Sequence, residues 1–293
     1  LTTNKTDYEN YKKNIFKVTR QLKYSDKHNN TLDMVLSLNG FPLIVMELKN
    51  QFTNQNVYNA IKQFKEDRNP KESMFEFNRR VLVYFAVDTD EVYMTTELKG
   101  KNTYFLPFNK GNNRGKGNPP VEGKEKTSYL WEEILTKDSL LDIVKRFYFI
   151  EKGGTKDRRA IFPRFHQLDA VRKIVSDLKI NKAGKNYLIQ HSAGSGKTNT
   201  IAWTAHRLSS LHDENNDAIF DSVIVVTDRK VLDKQLQDAI YQLEHKHGLV
   251  VKIDDKKNSS DLADAINNRA KIIITTIQKF QYALPKIESH EKR

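Results

Sequence analysis

The sequence predicts an α/β protein of two domains, an α/β/α domain built around a hairpin and then a domain with a parallel sheet. Three observations carry this reading. Residues 8–96 run in the order helix, hairpin, helix, strand. After residue 160, short continuous apolar runs alternate with helical stretches, the mark of a parallel sheet covered on both faces. Between them, residues 187–203 read as a strand, a glycine-rich turn and a helix.

The first domain is expected over 1–150. Tyr8–Phe16 is helical in pattern and Ile15–Leu22 leads into a strand. "LDMVLSLNGFPLIVMELKN" (Leu32–Asn50) reads as two apolar strands around Asn39-Gly40, yet it carries Asp33, Glu47 and Lys49, which are costly to bury unless paired or coordinated. Side chains alternate along a strand, so Glu47 and Lys49 share one face. A two-residue turn would set Asp33 opposite Met46; a three-residue loop, Asn39-Gly40-Phe41, sets it opposite Glu47. The three-residue loop makes sense of all three charges and is the register expected. It brings two carboxylates to about 5 Å at Cβ, a separation suited to one Mg²⁺ with its waters. A helix follows over Asn54–Lys65, with Val57, Ile61 and Phe64 on one face. Arg80–Val87 and Glu91–Thr96 form a second hairpin through Asp88-Thr89-Asp90. Asn109–Ser128 is a Gly/Pro/Lys-rich loop expected not to pack, and Ser139–Ile150 an amphipathic helix. Residues 151–159, with Gly153-Gly154 ending that helix, form the expected linker.

The second domain is expected over 160–293, with strands at "YLIQ", "VIVVT", "VVKI" and "IIITT". "HSAGSGKT" (His191–Thr198) matches G-x-x-x-x-G-K-S/T except that His191 replaces the first glycine. Backbone N–H groups over Ala193, Gly194, Ser195, Gly196 and Lys197, with the helix N-terminus, suit the β-phosphate of ATP. Lys197 suits its β/γ oxygens, and the Thr198 hydroxyl suits Mg²⁺. Thr227, Asp228 and Arg229, followed by Lys230, and Thr275, Thr276 and Gln278 fall at strand C-termini, where open parallel sheets keep their ligands. Capping of the next helix by Asp228 or Thr275 is the competing reading there.

Asp33 followed by Glu47-x-Lys49 on the next strand resembles the PD-(D/E)xK nuclease core, with Thr31-Leu32 where the name-giving proline often stands. That resemblance implies an acidic pair on Mg²⁺ and a lysine that orders or deprotonates the attacking water. Related nucleases carry Gln-x-x-x-Tyr after the lysine; Gln63 stands in the right helix but Asp67 replaces the tyrosine, so Gln63 is given a supporting catalytic role. "PRFHQLDAVRKIV" (Pro163–Val175) resembles the element before the phosphate loop of superfamily 2 helicases, which implies Gln167 at the adenine edge and Phe165 or Arg164 against the base. "VIVVTDRKVLDKQL" and "IIITTIQKF" resemble motor motifs of the same superfamily, in which Thr227, Arg229, Lys230, Thr275, Thr276 and Gln278 would touch DNA phosphates.

Taken together, a PD-(D/E)xK nuclease-like domain, a short linker and the first RecA-like lobe of a motor resemble the restriction (motor, R) subunit of type I restriction-modification enzymes, as an N-terminal fragment. The resemblance implies ATP-dependent translocation on double-stranded DNA, Mg²⁺-dependent cleavage, and methyltransferase and specificity subunits as partners. A stand-alone helicase-nuclease for DNA repair or phage defence shares every residue named. No Asp-Glu-x-x strand follows residue 280 and Asp213-Glu214 lies in a polar stretch, so the chain is expected to end before its Walker B strand and not to hydrolyse ATP by itself.

Composition agrees. The net charge is +12, from 49 Lys+Arg against 37 Asp+Glu, which favours a polyanionic partner. With no cysteine among 293 residues, disulfides and thiolate metal sites are excluded, compatible with a cytoplasmic setting. No apolar run approaches the roughly 18 residues that a membrane span needs.

Overall fold

The alternation of apolar residues that predicts the hairpin is realised in a six-stranded mixed sheet. The structure, a computed structural model, describes residues 5–113, 115–152, 158–227, 230–243, 248–253 and 257–287. It divides into two compact units, 1–165 and 166–293, so the break falls after Phe165, six residues beyond the expected linker at 151–159. Residues 153–157 of that linker lie outside the described residues.

In the first unit, α1 (Lys5–Lys12) precedes β1 (Phe16–Lys23), β2 (Thr31–Leu38) and β3 (Phe41–Leu48), which pair antiparallel in turn. A short 3₁₀ turn, Gln51–Thr53, leads to α2 (Val57–Glu66), which crosses back to β4 (Val83–Val87), parallel to β3. β5 (Val92–Thr95) and the two-residue β6 (Leu106–Pro107) complete the order β1-β2-β3-β4-β5-β6. The start of α2 is fixed twice. Asn56 and Asn59 form a reciprocal cap, and Asp88 Oδ2 accepts the Val57 N–H at 2.8 Å from the tip of the β4–β5 turn. Val57, Ala60 and Phe64 then bury against Val45, Tyr84 and Ala86 on one face of the sheet. Beyond it, Phe85, Phe108, Tyr129, Phe162 and Phe165 form a second buried cluster with ring centroids 5.3–6.3 Å apart.

Two expectations for this unit change. The 109–128 loop has no regular structure, yet it does pack: Asn118, Thr127 and Ser128 are buried. Asn118 Nδ2 donates to the Asp90 carbonyl at 2.8 Å and Thr127 Oγ1 to that of Asp88 at 2.7 Å, so polar loop residues serve the β4–β5 turn. The amphipathic helix is α3 (Lys137–Arg146) and stops short of Ile150. Phe149 instead begins β7 (Phe149–Lys152), paired with β8 (Arg158–Ile161).

The second unit follows with α4 (Phe165–Asn181), α5 (Lys197–Ser209), β9 (Val223–Thr227), α6 (Lys230–Gln242), β10 (Val250–Lys252), α7 (Ser259–Asn267), β11 (Ile272–Thr276) and α8 (Ile277–Ala283). Its sheet is parallel throughout, in the order β10-β11-β9. Three of the four expected strands are present. "YLIQ" (187–190) is irregular, and Leu188 is almost wholly exposed. An apolar run becomes a strand only when a neighbour takes its backbone hydrogen bonds, and no described strand does so here.

Candidate active site

The hairpin reaches its register by a different route from the one its charges suggest. Asn39 and Gly40 both take positive φ, 51° and 84°, the backbone of a two-residue turn, and Leu38 pairs with Phe41. Continued unbroken, that turn would place Asp33 against Met46. A bulge intervenes: Ser37 pairs with Pro42 but Leu36 with Ile44, leaving Leu43 as the extra residue. Proline has no N–H to give a central strand, which favours a bulge beside Pro42. The one-residue shift sets Met34 against Met46 and so aligns Asp33 with Glu47. The three-residue loop is therefore corrected to a two-residue turn plus a bulge, with the same register at the charges.

The β2–β3 ladder ends at Met34 and Met46, and there the Asp33 carboxylate replaces the backbone partner, accepting the Leu48 N–H at 2.9 Å. Gln21 Nε2 donates to the other Asp33 oxygen at 3.1 Å. Gln21 is itself held with φ 47° within β1 while Thr31 Oγ1 donates to it at 2.6 Å. Lys49 Nζ lies 3.8 Å from Asp33 Oδ2 and donates to Gln63 Oε1 on α2 at 2.6 Å. Asp33, Glu47, Lys49 and Gln63 are thus brought together on the face of the sheet that α2 covers.

Glu47 is fully buried. Arg68, two residues past the end of α2 and also buried, donates through Nε (2.9 Å) and Nη2 (2.6 Å) to the same oxygen, Glu47 Oε1. The second oxygen, Oε2, is buried and has no donor. Burial pushes the Glu47 carboxyl up to about 7; Arg68 opposes this and the adjacent Asp33 carboxylate adds to it. Even with the guanidinium in place, the pocket favours one more proton or cation. Two hard carboxylates, one with an orphaned buried oxygen, fit a hard divalent cation such as Mg²⁺. Among the described residues no cluster of three or more His, Cys, Asp or Glu exists to hold a metal with protein side chains alone, so such an ion would keep water ligands. A polar cleft of about 500 Å³, lined by Asn29, Asn30, Thr31, Gln63, Asp67 and Arg68, opens at Gln63 and Arg68 and is not lined by either carboxylate of the pair. Sequence reasoning missed Gln21 and Arg68. The only local signal for Arg68 was an arginine just beyond a helix whose buried face ends at Phe64.

In the second unit, Gly194 and Gly196 adopt φ of 72° and 82°, which turns the loop between Ser192 and Lys197 back on itself before α5. Lys197 is exposed, and its Nζ donates to the loop's own carbonyls, His191 at 3.2 Å and Ser192 at 2.9 Å. Ser195 is buried with its hydroxyl unpartnered, Ala193 is exposed, and Thr198 stands half-buried in the first turn of α5. An exposed ammonium held by loop carbonyls, a helix N-terminus without a side-chain cap and left-handed glycines fit a phosphate group. Gln167 is placed against the loop itself, its Nε2 donating to the Gly196 carbonyl at 2.9 Å, rather than out toward a base.

The strand-end residues divide. Thr275 is completely buried within β11 with its hydroxyl unpartnered, and Thr276 is nearly buried, so neither presents a surface to a DNA phosphate. Their expected role as contacts is corrected to packing: β11 lies between β10 and β9, and α7 and α8 cover it. Thr227 ends β9 with its hydroxyl buried, and Gln278 is exposed on α8. Asp228 and Arg229 lie outside the described residues, and of Lys230 only its place at the start of α6 is described.

This arrangement defines an α/β chain with a half-buried and a buried carboxylate beside a lysine in one unit and a glycine turn before a helix N-terminus in the other. Comparison with known families gives two matches. Residues 2–103 match the family "Type I restriction enzyme R protein N terminus", and residues 166–293 match "SWI2/SNF2 ATPase". The chain is 30% identical over 244 residues to the putative type I restriction enzyme MjaVIIIP endonuclease subunit of Methanocaldococcus jannaschii, covering 82% of this chain and 22% of that protein. It is 25% identical over 280 residues to a type I restriction enzyme endonuclease subunit of Staphylococcus aureus (95% and 27%). To the HindI endonuclease subunit of Haemophilus influenzae it is 24% identical over 288 residues (94% and 26%). The resemblance drawn from the motifs is thereby shown: residues 2–103 belong to the R-protein N-terminal family. The chain spans about a quarter of the length of these relatives. Among the described residues no helix is long and apolar enough to cross a membrane.

Proposed function

We propose that this chain is the nuclease and first motor portion of the restriction subunit of a type I restriction-modification enzyme. It would act with methyltransferase and specificity subunits on double-stranded DNA, in the cytoplasm, using ATP and Mg²⁺. On this reading residues 1–150 form a PD-(D/E)xK endonuclease domain and the second unit a RecA-like lobe. The observation that carries the nuclease assignment is the buried, donorless Oε2 of Glu47 beside Asp33, with Lys49 on the same face.

Asp33 and Glu47 would hold Mg²⁺, which when bound supplies Lewis acidity and a more acidic water. The chain's own groups do the rest. Gln63 fixes the Lys49 ammonium 3.8 Å from Asp33, where it can orient a water for attack on a phosphodiester and steady the developing charge. Asp33 is held by the Leu48 N–H and Gln21, so its position is set before substrate arrives. In the other unit, Gly194–Lys197 would wrap the ATP phosphates, with Lys197 exchanging its loop carbonyls for phosphate oxygens and Thr198 adjacent. Arg229, Lys230 and Gln278 remain proposed contacts to the DNA backbone, whereas the Thr227 hydroxyl is buried like that of Thr275.

Co-purification from the source cell tests the assignment. Methyltransferase and specificity subunits should accompany the full-length subunit, and that complex should cleave unmodified plasmid only with ATP and Mg²⁺. Cleavage by the chain without such partners would favour a stand-alone nuclease.

A further inference from the structure

Arg68 belongs to none of the motifs above, yet it makes the densest set of contacts in the pocket. Nε and Nη2 both reach Glu47 Oε1, at 2.9 and 2.6 Å, and Nη2 also donates to the Thr31 carbonyl of β2 at 2.9 Å. The Tyr24 ring stacks 5.5 Å from the guanidinium carbon, and its hydroxyl lies 3.5 Å from Nη1. The guanidinium is therefore fixed by backbone and ring independently of Glu47. An arginine that merely neutralised a buried glutamate would be expected to fork across both oxygens, the geometry that satisfies a carboxylate most fully. Here it takes one oxygen twice and leaves the other, wholly buried, without a donor.

We propose that Arg68 is the positioning residue of the nuclease centre, turning Glu47 so that Oε2 is presented toward Asp33 as a metal-ligating atom. The proposal rests on the nuclease reading above and adds a residue to it. Partners that fix a ligand's orientation from outside the coordination sphere typically alter metal affinity by about 10–100-fold. Lysine keeps the charge of arginine but offers no rigid fork to reach Glu47 and the Thr31 carbonyl together.

The test titrates Mn²⁺ alone into the intact protein by calorimetry, with no nucleotide or DNA, while circular dichroism checks folding. Asp33→Asn and Glu47→Gln should each abolish the binding isotherm; if neither changes it, the metal site itself is misassigned and the role of Arg68 falls with it. Given that loss, Arg68→Lys should weaken Mn²⁺ by about 10–100-fold, whereas the exposed control Arg79→Lys should bind as wild type. Wild-type or tighter affinity in Arg68→Lys overturns the positioning role while leaving the metal site intact. Should Arg68→Lys fail to fold, the unsubstituted protein still decides. The Arg68 Nε–H resonance should stay in slow exchange through a Mg²⁺ titration if the bond to Oε1 persists on loading. Its loss on adding Mg²⁺ would mean that the ion displaces the guanidinium, and would overturn the proposal.

Discussion

The hairpin pocket and the phosphate loop reach readiness for ligand in opposite ways. In the hairpin pocket the partners come from far along the chain: Gln21 on β1 reaches Asp33, Gln63 on α2 holds Lys49, and the buried Arg68 beyond it holds Glu47. Around Lys197 they are mainly local, with carbonyls five and six residues back holding an exposed ammonium, while His166 and Gln167 reach the loop backbone from α4. The first site is part of the folding core and carries a buried carboxylate oxygen with no donor. The second is a turn whose shape follows from two glycines. A site of the first kind should be coupled to stability, and one of the second kind should be separable from it.

The largest expected effects separate the chemistries. In the assembled full-length enzyme, Asp33→Ala and Glu47→Ala should reduce plasmid cleavage to background. Lys49→Ala should lower it by on the order of 10²–10⁴-fold, the range of a positioned proton-transfer group. ATP hydrolysis should survive all three. Lys197→Ala should do the reverse to ATP hydrolysis, and DNA cleavage should stop with it only because translocation stops. Loss of ATPase activity in Glu47→Ala would show that the two sites are not independent.

Stability should divide along the same line. Arg68→Ala strands a buried carboxylate and should cost about 3–5 kcal/mol in urea unfolding. Lys197→Ala, at an exposed side chain bonded to two carbonyls, should stay within about 0.5 kcal/mol. Equal costs would contradict the contrast between core and turn.

The glycines offer a finer comparison. At Gly196 a Cβ would meet the Gln167 side-chain amide as well as an unfavourable φ of 82°. Gly196→Ala should therefore weaken ATP binding by about tenfold or more, since ~1.4 kcal/mol of distortion suffices for that. Gly40, with φ 84°, has open space around it. Gly40→Ala should cost about 1–2 kcal/mol from backbone strain alone and leave Mn²⁺ affinity unchanged, which differential calorimetry and titration together would show.

What the sequence revealed follows the same division. The glycine turn before α5 was legible because its residues are consecutive. The hairpin's charges were legible by parity, but the device that sets the parity was not: Pro42 was the available sign of a bulge, and an odd-length loop explained the charges as well. Gln21 and Arg68 left no periodic trace, since what joins them to Asp33 and Glu47 is the packing of β1 and α2, not spacing along the chain. Tyr187–Gln190 shows the converse, an apolar run that stays irregular where no described neighbour pairs with it.

The smallest expected effect bears on Thr275, where reading by motif and reading by burial part most clearly. Its position at a strand end suggested a phosphate contact, yet the residue is fully enclosed and its hydroxyl has no partner. An unsatisfied buried hydroxyl costs stability, and valine keeps its shape while suiting a strand. Thr275→Val should therefore be neutral or stabilising by up to about 1 kcal/mol, and anisotropy with a labelled duplex should show unchanged affinity. The exposed Gln278→Ala, four residues from the middle of the same strand, should weaken duplex binding if that edge meets DNA. A loss of duplex affinity in Thr275→Val with no change in stability would mean that β11 opens to expose the hydroxyl, and would return the strand end to the DNA-contacting surface that its sequence suggested.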